Sequence, residues 1–147
     1  MNLILNQEIE NFEGIRTYLS EIPNINHGGC GISALSMYRW LEKNKNERPN
    51  FILCYDSSEQ YKKTVENLGK DNDKLFAPNH CVIKYQNRLL DCIQHFPIGL
   101  YAHHLTTNEK GMIELINFGD FWSREFEREN ARIISQRLRI DLSDVFI

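Results

Sequence analysis

The chain has no long hydrophobic run. Its N-terminal stretch, MNLILNQEIENFEG, breaks one short apolar segment with Asn, Gln and Glu, and shows neither a basic leading region nor a small-residue cleavage site, so no secretory leader is expected. Nothing approaches the roughly 20 apolar residues that a membrane span needs. An excess of positive charge is also missing: 17 Lys and Arg stand against 20 Asp and Glu, for a formal charge of -3. A nucleic-acid surface normally clusters cations, so that class of partner is not expected. No glycine-rich phosphate cradle is present, which removes the main support for nucleotide chemistry. Repeats and low-complexity tracts are absent. Four cysteines without a secretion signal read as free thiols rather than a disulfide framework. The expected location is therefore cytoplasmic, in a cell or in the host cytoplasm of a viral or effector protein.

What remains is an ordinary globular composition, 41% hydrophobic and 25% charged. At 147 residues the length suits a single domain, 1–147, with a core of its own. Ile9, Phe12, Ile15, Tyr18 and Leu19 recur at helical spacing and predict a first helix from about Gln7 to Glu21, stopped by Pro23. A second helix is expected from about Cys30 to Lys43. Its first half is apolar or small around most of its circumference, which makes it central. Phe51–Tyr55 reads as a buried strand and Ser57–Leu68 as an amphipathic helix followed by Gly69. The clearest signal is a hairpin, His80–Tyr85 and Arg88–Ile93 around Gln86-Asn87. Leu100–Leu105 is extended or loop, and a helix falls within Gly119–Arg139, with Ile133–Ile140 readable as either helix or strand. Helices first and strands later make the expected class α+β.

Three segments carry chemistry. In Asn24-Ile25-Asn26-His27-Gly28-Gly29-Cys30-Gly31 a cysteine follows two glycines and opens a helix. Glycines let the backbone bend and let a substrate approach. A helix start offers unpaired N–H groups and partial positive charge, which favour the thiolate, the nucleophilic form. The Cys30 amide suits one oxyanion donor, beside Gly29, and the side-chain amide of Asn24 or Asn26 suits a second. In Asn79-His80-Cys81 an imidazole heads a strand, where it can act as base and then acid for a cysteine. In Leu90-Asp91-Cys92 a carboxylate lies two residues from direct opposition to His80 and on the same strand face, able to orient the ring.

GGCGISALSMYRWL, NHCVIKY and RLLDCI, in that order, resemble the papain-like cysteine-enzyme superfamily over roughly Asn24 to Ile93. The order Cys, His, Asp is shared with transglutaminase-like enzymes, arylamine N-acetyltransferase-like enzymes, bacterial cell-wall peptidases and small phage and bacterial proteins of that superfamily. The resemblance implies a papain-like domain with N-terminal helices packed on a small antiparallel sheet. It also implies Cys30 as nucleophile, His80 as base, Asp91 as orienter, and Asn24 at the oxyanion position, where papain-type enzymes carry Gln. The activity it implies is a cysteine hydrolase or acyltransferase on an amide or acyl bond, with a protein, peptide or small acyl substrate, no cofactor and no metal. The alternative is a non-catalytic binding factor on the same scaffold.

The remaining cysteines, Cys54, Cys81 and Cys92, read as core packing, the last two on the strand face opposite His80 and Asp91. His27-x-x-Cys30 has metal-compatible spacing, but His80 and Cys81 point to opposite faces of a strand, which disfavours a zinc site. His103-His104 reads as a loop or strand pair, and Trp122 as core or surface.

Overall fold

Asn11 opens the first helix. In the computed structural model, which describes residues 9–26, 29–67, 78–93, 95–96, 101–118 and 124–145, the Asn11 side chain accepts a 2.7 Å hydrogen bond from Gly14 N. This cap starts helix α1 at Phe12–Ser20, later than the apolar periodicity suggests, since Ile9 and Glu10 are not helical. Ile9 still packs on the core from outside the helix.

Helix α2, Cys30–Lys45, buries Cys30 through Tyr38 together with Trp40 and Leu41. It packs against α1, the sheet and the last two helices of the chain, the central position expected from its apolar circumference. It stops at Asn46, which takes the left-handed φ of 53° that Asn tolerates. Strand β1 (Asn50–Tyr55), helix α3 (Ser58–Asn67), β2 (His80–Tyr85), β3 (Arg88–Leu90), β4 (His95–Phe96), β5 (His103–Thr107), α4 (Glu109–Phe118) and α5 (Arg124–Leu138) follow.

The structure is mixed α/β, and its sheet is antiparallel throughout, in the order β4-β3-β2-β1-β5. Two helices come first, α3 falls between β1 and β2, β2 to β5 follow one another, and α4 and α5 come last among the described residues. The α4 segment was not anticipated, although Met112, Ile113, Leu115 and Ile116 recur at helical spacing and the Asn108 side chain before it accepts from Gly111 N at 2.9 Å. Residues 133–138 are helical, so the strand option there is excluded. His27, Gly28, Gly69 and Trp122 lie outside the described residues.

The β2–β3 hairpin turns on Gln86 and Asn87, with φ of 52° and 61°. Two consecutive positive φ values match the twist of a two-residue hairpin loop. They fix the register Ile83↔Leu90, Lys84↔Leu89, Tyr85↔Arg88, the one expected from the turn position. β3 is shorter than expected: its ladder ends at Leu90 and Asp91 lies just beyond it.

The sheet has two unlike faces. Phe51, Leu53, Tyr55, Cys81, Ile83 and Leu90 join the main core under the helices, a cluster running from Ile15 to Val145. Ile52, Cys54, Val82 and Leu89 form a small cluster on the other face, joined by Tyr101. The C-terminal segment is tied to α2 by Arg39, whose guanidinium grips Asp144 with two 2.6 Å bonds and Glu109 at 3.1 Å. Among the described residues no helix is long and apolar enough to cross a membrane.

Candidate active site

The site lies where the start of α2 meets the start of β2. Asn79 locks the entry to β2: its N–H donates to Cys54 O at 2.8 Å and its Oδ1 accepts from Asp56 N at 2.8 Å. His80 therefore begins the strand in a fixed pose, paired across to Cys54. Residues in direct antiparallel opposition share a face, so the His80 ring leaves the sheet on the side of Val82 and Cys54. Asp91, one residue past β3, is on that same side. The diagonal offset is closed by the side chains: His80 Nε2 and Asp91 Oδ2 are 2.9 Å apart. Both are buried, at 7% and 3% exposure.

A carboxylate only accepts, so Nε2 carries a hydrogen, which leaves Nδ1 as the nitrogen available to Cys30. Cys30 opens α2 and is coupled electrostatically to His80 and Cys81, the first residues of β2. The thiol is held well below its ordinary pKa. The Cys81 thiol contributes most, burial opposes, and the hydrogen bond and positive charge of His80 add to the lowering. His80 is raised from 6.5 to about 9: burial works against the charged ring, and the hydrogen bonds and charges of Asp91 and Cys30 outweigh it. Each shift favours the same state, a Cys30 thiolate beside a His80 imidazolium. By contrast, burial pushes Cys54 up to about 12, so that thiol is inert at neutral pH.

Asp91 is itself held from several sides. Its Oδ1 accepts from Ile93 N at 2.7 Å and its Oδ2 accepts more weakly from Asn26 Nδ2 at 3.5 Å. Its backbone carbonyl accepts from Arg16 Nε at 2.9 Å. Arg16 is only 4% exposed, and its Nη1 bonds Glu13 at 3.1 Å and His95 Nε2 at 3.2 Å. A guanidinium only donates, so the His95 nitrogen is the acceptor. Arg16 thus ties α1 to β4 and to the residue that orients His80. The Tyr101 ring stacks near-parallel on the imidazole, at 26° with centroids 6.5 Å apart.

Of the residues singled out in the sequence, Cys30, His80 and Asp91 come together. Gly29 precedes Cys30 as the helix cap, with no side-chain cap bond, and a Cβ there would sit 2.5 Å from Ile25 O. The glycine is needed for close backbone packing rather than for an unusual φ, which is -99°. Asn26 turns to Asp91 and also accepts from Cys92 Sγ at 3.9 Å, which places its amide behind the imidazole–carboxylate pair. Asn24 is exposed in a left-handed turn, φ 60°. Cys81 faces the helical layer within the main core, the packing role expected of it, and it also lowers the Cys30 thiol. His103 and His104 pair with Tyr55 and Cys54 on β5, and His103 bonds Ser58 Oγ at 2.8 Å. No grouping of three or more metal-ligating side chains occurs among the described residues.

Arg16, Tyr101 and Cys81 were missed by sequence reasoning. Arg16 alone left a signal: it falls on the apolar face of α1, four residues after Phe12 and three before Leu19. Tyr101 and Cys81 depend on tertiary placement and left none.

Comparison with known proteins yields no match to a family model, a curated protein or a solved structure.

Proposed function

We propose that this chain is a cysteine-nucleophile hydrolase or acyltransferase of papain-like organisation, acting on an amide or related acyl bond. The observation that carries the reading is one buried chain of interactions: Asp91 Oδ2 to His80 Nε2 at 2.9 Å, with the imidazole coupled electrostatically to the Cys30 sulfur at the first residue of α2. Buried ionisable groups cost stability unless the arrangement has a use, and paired shifts toward a thiolate–imidazolium couple are what nucleophilic catalysis requires.

In the proposed reaction the Cys30 thiolate attacks the acyl carbonyl carbon. The N-terminal end of α2 faces the developing oxyanion, with the Cys30 amide as donor. His80 gives its proton to the leaving amine or alcohol as the carbon–heteroatom bond breaks, leaving a thioester on Cys30. His80, now neutral, takes a proton from water or from an acceptor nucleophile that attacks the thioester, and Cys30 leaves as thiolate. Asp91 holds the ring and stabilises its charged form throughout. The substrate is a protein, a peptide or a small amide or ester.

The test combines site-resolved thiol labelling with an acyl donor. Iodoacetamide at neutral pH should modify Cys30 ahead of Cys54, Cys81 and Cys92, and p-nitrophenyl acetate should acetylate Cys30. His80→Ala should slow both. Equal labelling of all four thiols, or acetylation indifferent to His80, would refute the proposal.

A further inference from the structure

The proposed acyl chemistry leaves Arg16 and His95 without a role, although both are tied to the segment that carries Asp91. His80 sits within a strand ladder, opposite Cys54. Asp91 does not, since β3 ends one residue earlier at Leu90. The Asp91 carboxylate accepts from Ile93 N at 2.7 Å, but that donor is two residues along the same segment and moves with it. The Asn26 amide comes from outside the segment and is 3.5 Å away. A shorter tie reaches Asp91 from α1, where Arg16 Nε donates to its backbone carbonyl at 2.9 Å. Through Nη1 the same guanidinium reaches His95 Nε2 at 3.2 Å. His95 closes the segment, because it pairs with Leu90 on β3. Arg16 therefore bridges residues 91–95 from one end to the other. Glu13, one turn earlier on α1, holds Nη1 at 3.1 Å. The guanidinium is planar and rigid, so fixing one arm aims the other.

We propose that Arg16 is a positioning residue for the Asp91–His80 pair, and that His95 is the acceptor that sets its guanidinium. The role deepens the proposed function and rests on its reading of Asp91 as the residue that orients the imidazole. It does not depend on which acyl group is attacked. Arg16 is 4% exposed, a setting in which its hydrogen bonds compete little with water. A guanidinium only donates, so the bracket needs a neutral His95 ring as its acceptor. His95 itself is exposed, so the bracket is buried at Asp91 and open to solvent at its other end. Arg16 acts on His80 in two ways of opposite sign. As a positive charge it disfavours the imidazolium, so losing the charge alone would make His80 more basic. As a bracket it keeps the carboxylate 2.9 Å from Nε2, so losing the fork alone would make His80 less basic. Arg16→Lys keeps the charge and removes the fork, which isolates the second effect.

The experiment follows the His80 ring by nuclear magnetic resonance across pH in the full-length protein, its signal assigned by its loss in His80→Gln. In the wild type His80 should titrate near its raised value of about 9. In Arg16→Lys it should titrate about one pKa unit lower, a tenfold loss of proton affinity. His95→Gln keeps an acceptor for Nη1 and should match the wild type, whereas His95→Leu removes it and should lower His80 in the same direction. A general loss of stability leaves the titration of a folded His80 where it was, so the readout separates positioning from a merely structural role. His95 is exposed, so His95→Leu serves where Arg16→Lys does not fold. A raised wild-type value that these variants leave unchanged, or raise further, would overturn the bracket and leave the proposed function standing. A wild-type His80 titrating at its ordinary value would remove the Asp91–His80 pair, and both readings with it.

Discussion

Replacing Asp91 by Asn keeps the size of the side chain and an oxygen for Ile93 N, but it removes the charge that faces His80 Nε2 at 2.9 Å. A hydrogen bond to a charged partner is worth about 1.5–3 kcal/mol, and one pKa unit corresponds to about 1.4 kcal/mol, so His80 should fall by roughly one to two units from its raised value of about 9. The thiolate–imidazolium pair exists between two edges: an acid edge where Cys30 gains a proton and an alkaline edge where His80 loses one. Asp91 stabilises the imidazolium on both sides of the acid edge, so that edge should move little. The alkaline edge should drop by the full amount. Two alkylating agents separate the edges. Iodoacetamide reports thiolate at any pH above the acid edge, whereas anionic iodoacetate also needs the imidazolium and loses its advantage once His80 is neutral. In the wild type the iodoacetate-to-iodoacetamide rate ratio at Cys30 should fall near pH 9, and in Asp91→Asn roughly one to two units lower. An alkaline edge unchanged by the substitution would show that Asp91 does not stabilise the charged ring, and the reasoning from the 2.9 Å contact would fail.

Three further outcomes are expected. Gly29→Ala places a Cβ 2.5 Å from the Ile25 backbone oxygen, an overpacking that should cost about 1–3 kcal/mol in urea denaturation and slow Cys30 alkylation by displacing the start of α2; an unchanged midpoint would refute it. Arg16→Met leaves the Asp91 carbonyl without its 2.9 Å donor in a buried setting, which should cost about 1–3 kcal/mol; Arg16→Lys, lacking the forked geometry, should recover little, and full recovery would argue against the need for a guanidinium. Stability should follow pH through the same pair. His80 is raised in the folded state from 6.5 to about 9, so its contribution is fully present below about pH 6.5 and is lost as pH rises through about 9. Cys30 is lowered in the folded state, so its contribution is present above the pKa of an unfolded thiol and is lost as pH falls through its depressed folded pKa. Between about pH 6.5 and 9 the two trends offset, and thermal melts of wild type should be flatter there than those of Cys30→Ser, which keeps His80 but removes the thiolate.

Local patterns determined much of this protein. The Gln86-Asn87 turn set the β2–β3 register, because two positive φ values in a two-residue loop leave one alignment of the flanking strands. That register puts Asp91 on the His80 face, and the apolar circumference of the Cys30 segment makes α2 central, since a helix apolar all round has to be buried. Other features were decided only by the tertiary structure. Asn26 was legible as a polar residue near Cys30, yet the bond of its amide to Asp91 joins residues 65 apart and is set only by packing. The meeting of Arg16 with Asp91 joins residues far apart in the chain. Period and turn chemistry act over a few residues, so they fix faces and registers. Which buried polar groups satisfy one another is settled only when distant elements pack and each must find a partner out of water. The sequence named the sulfur, the ring and the carboxylate; packing brought the ring and the carboxylate to 2.9 Å.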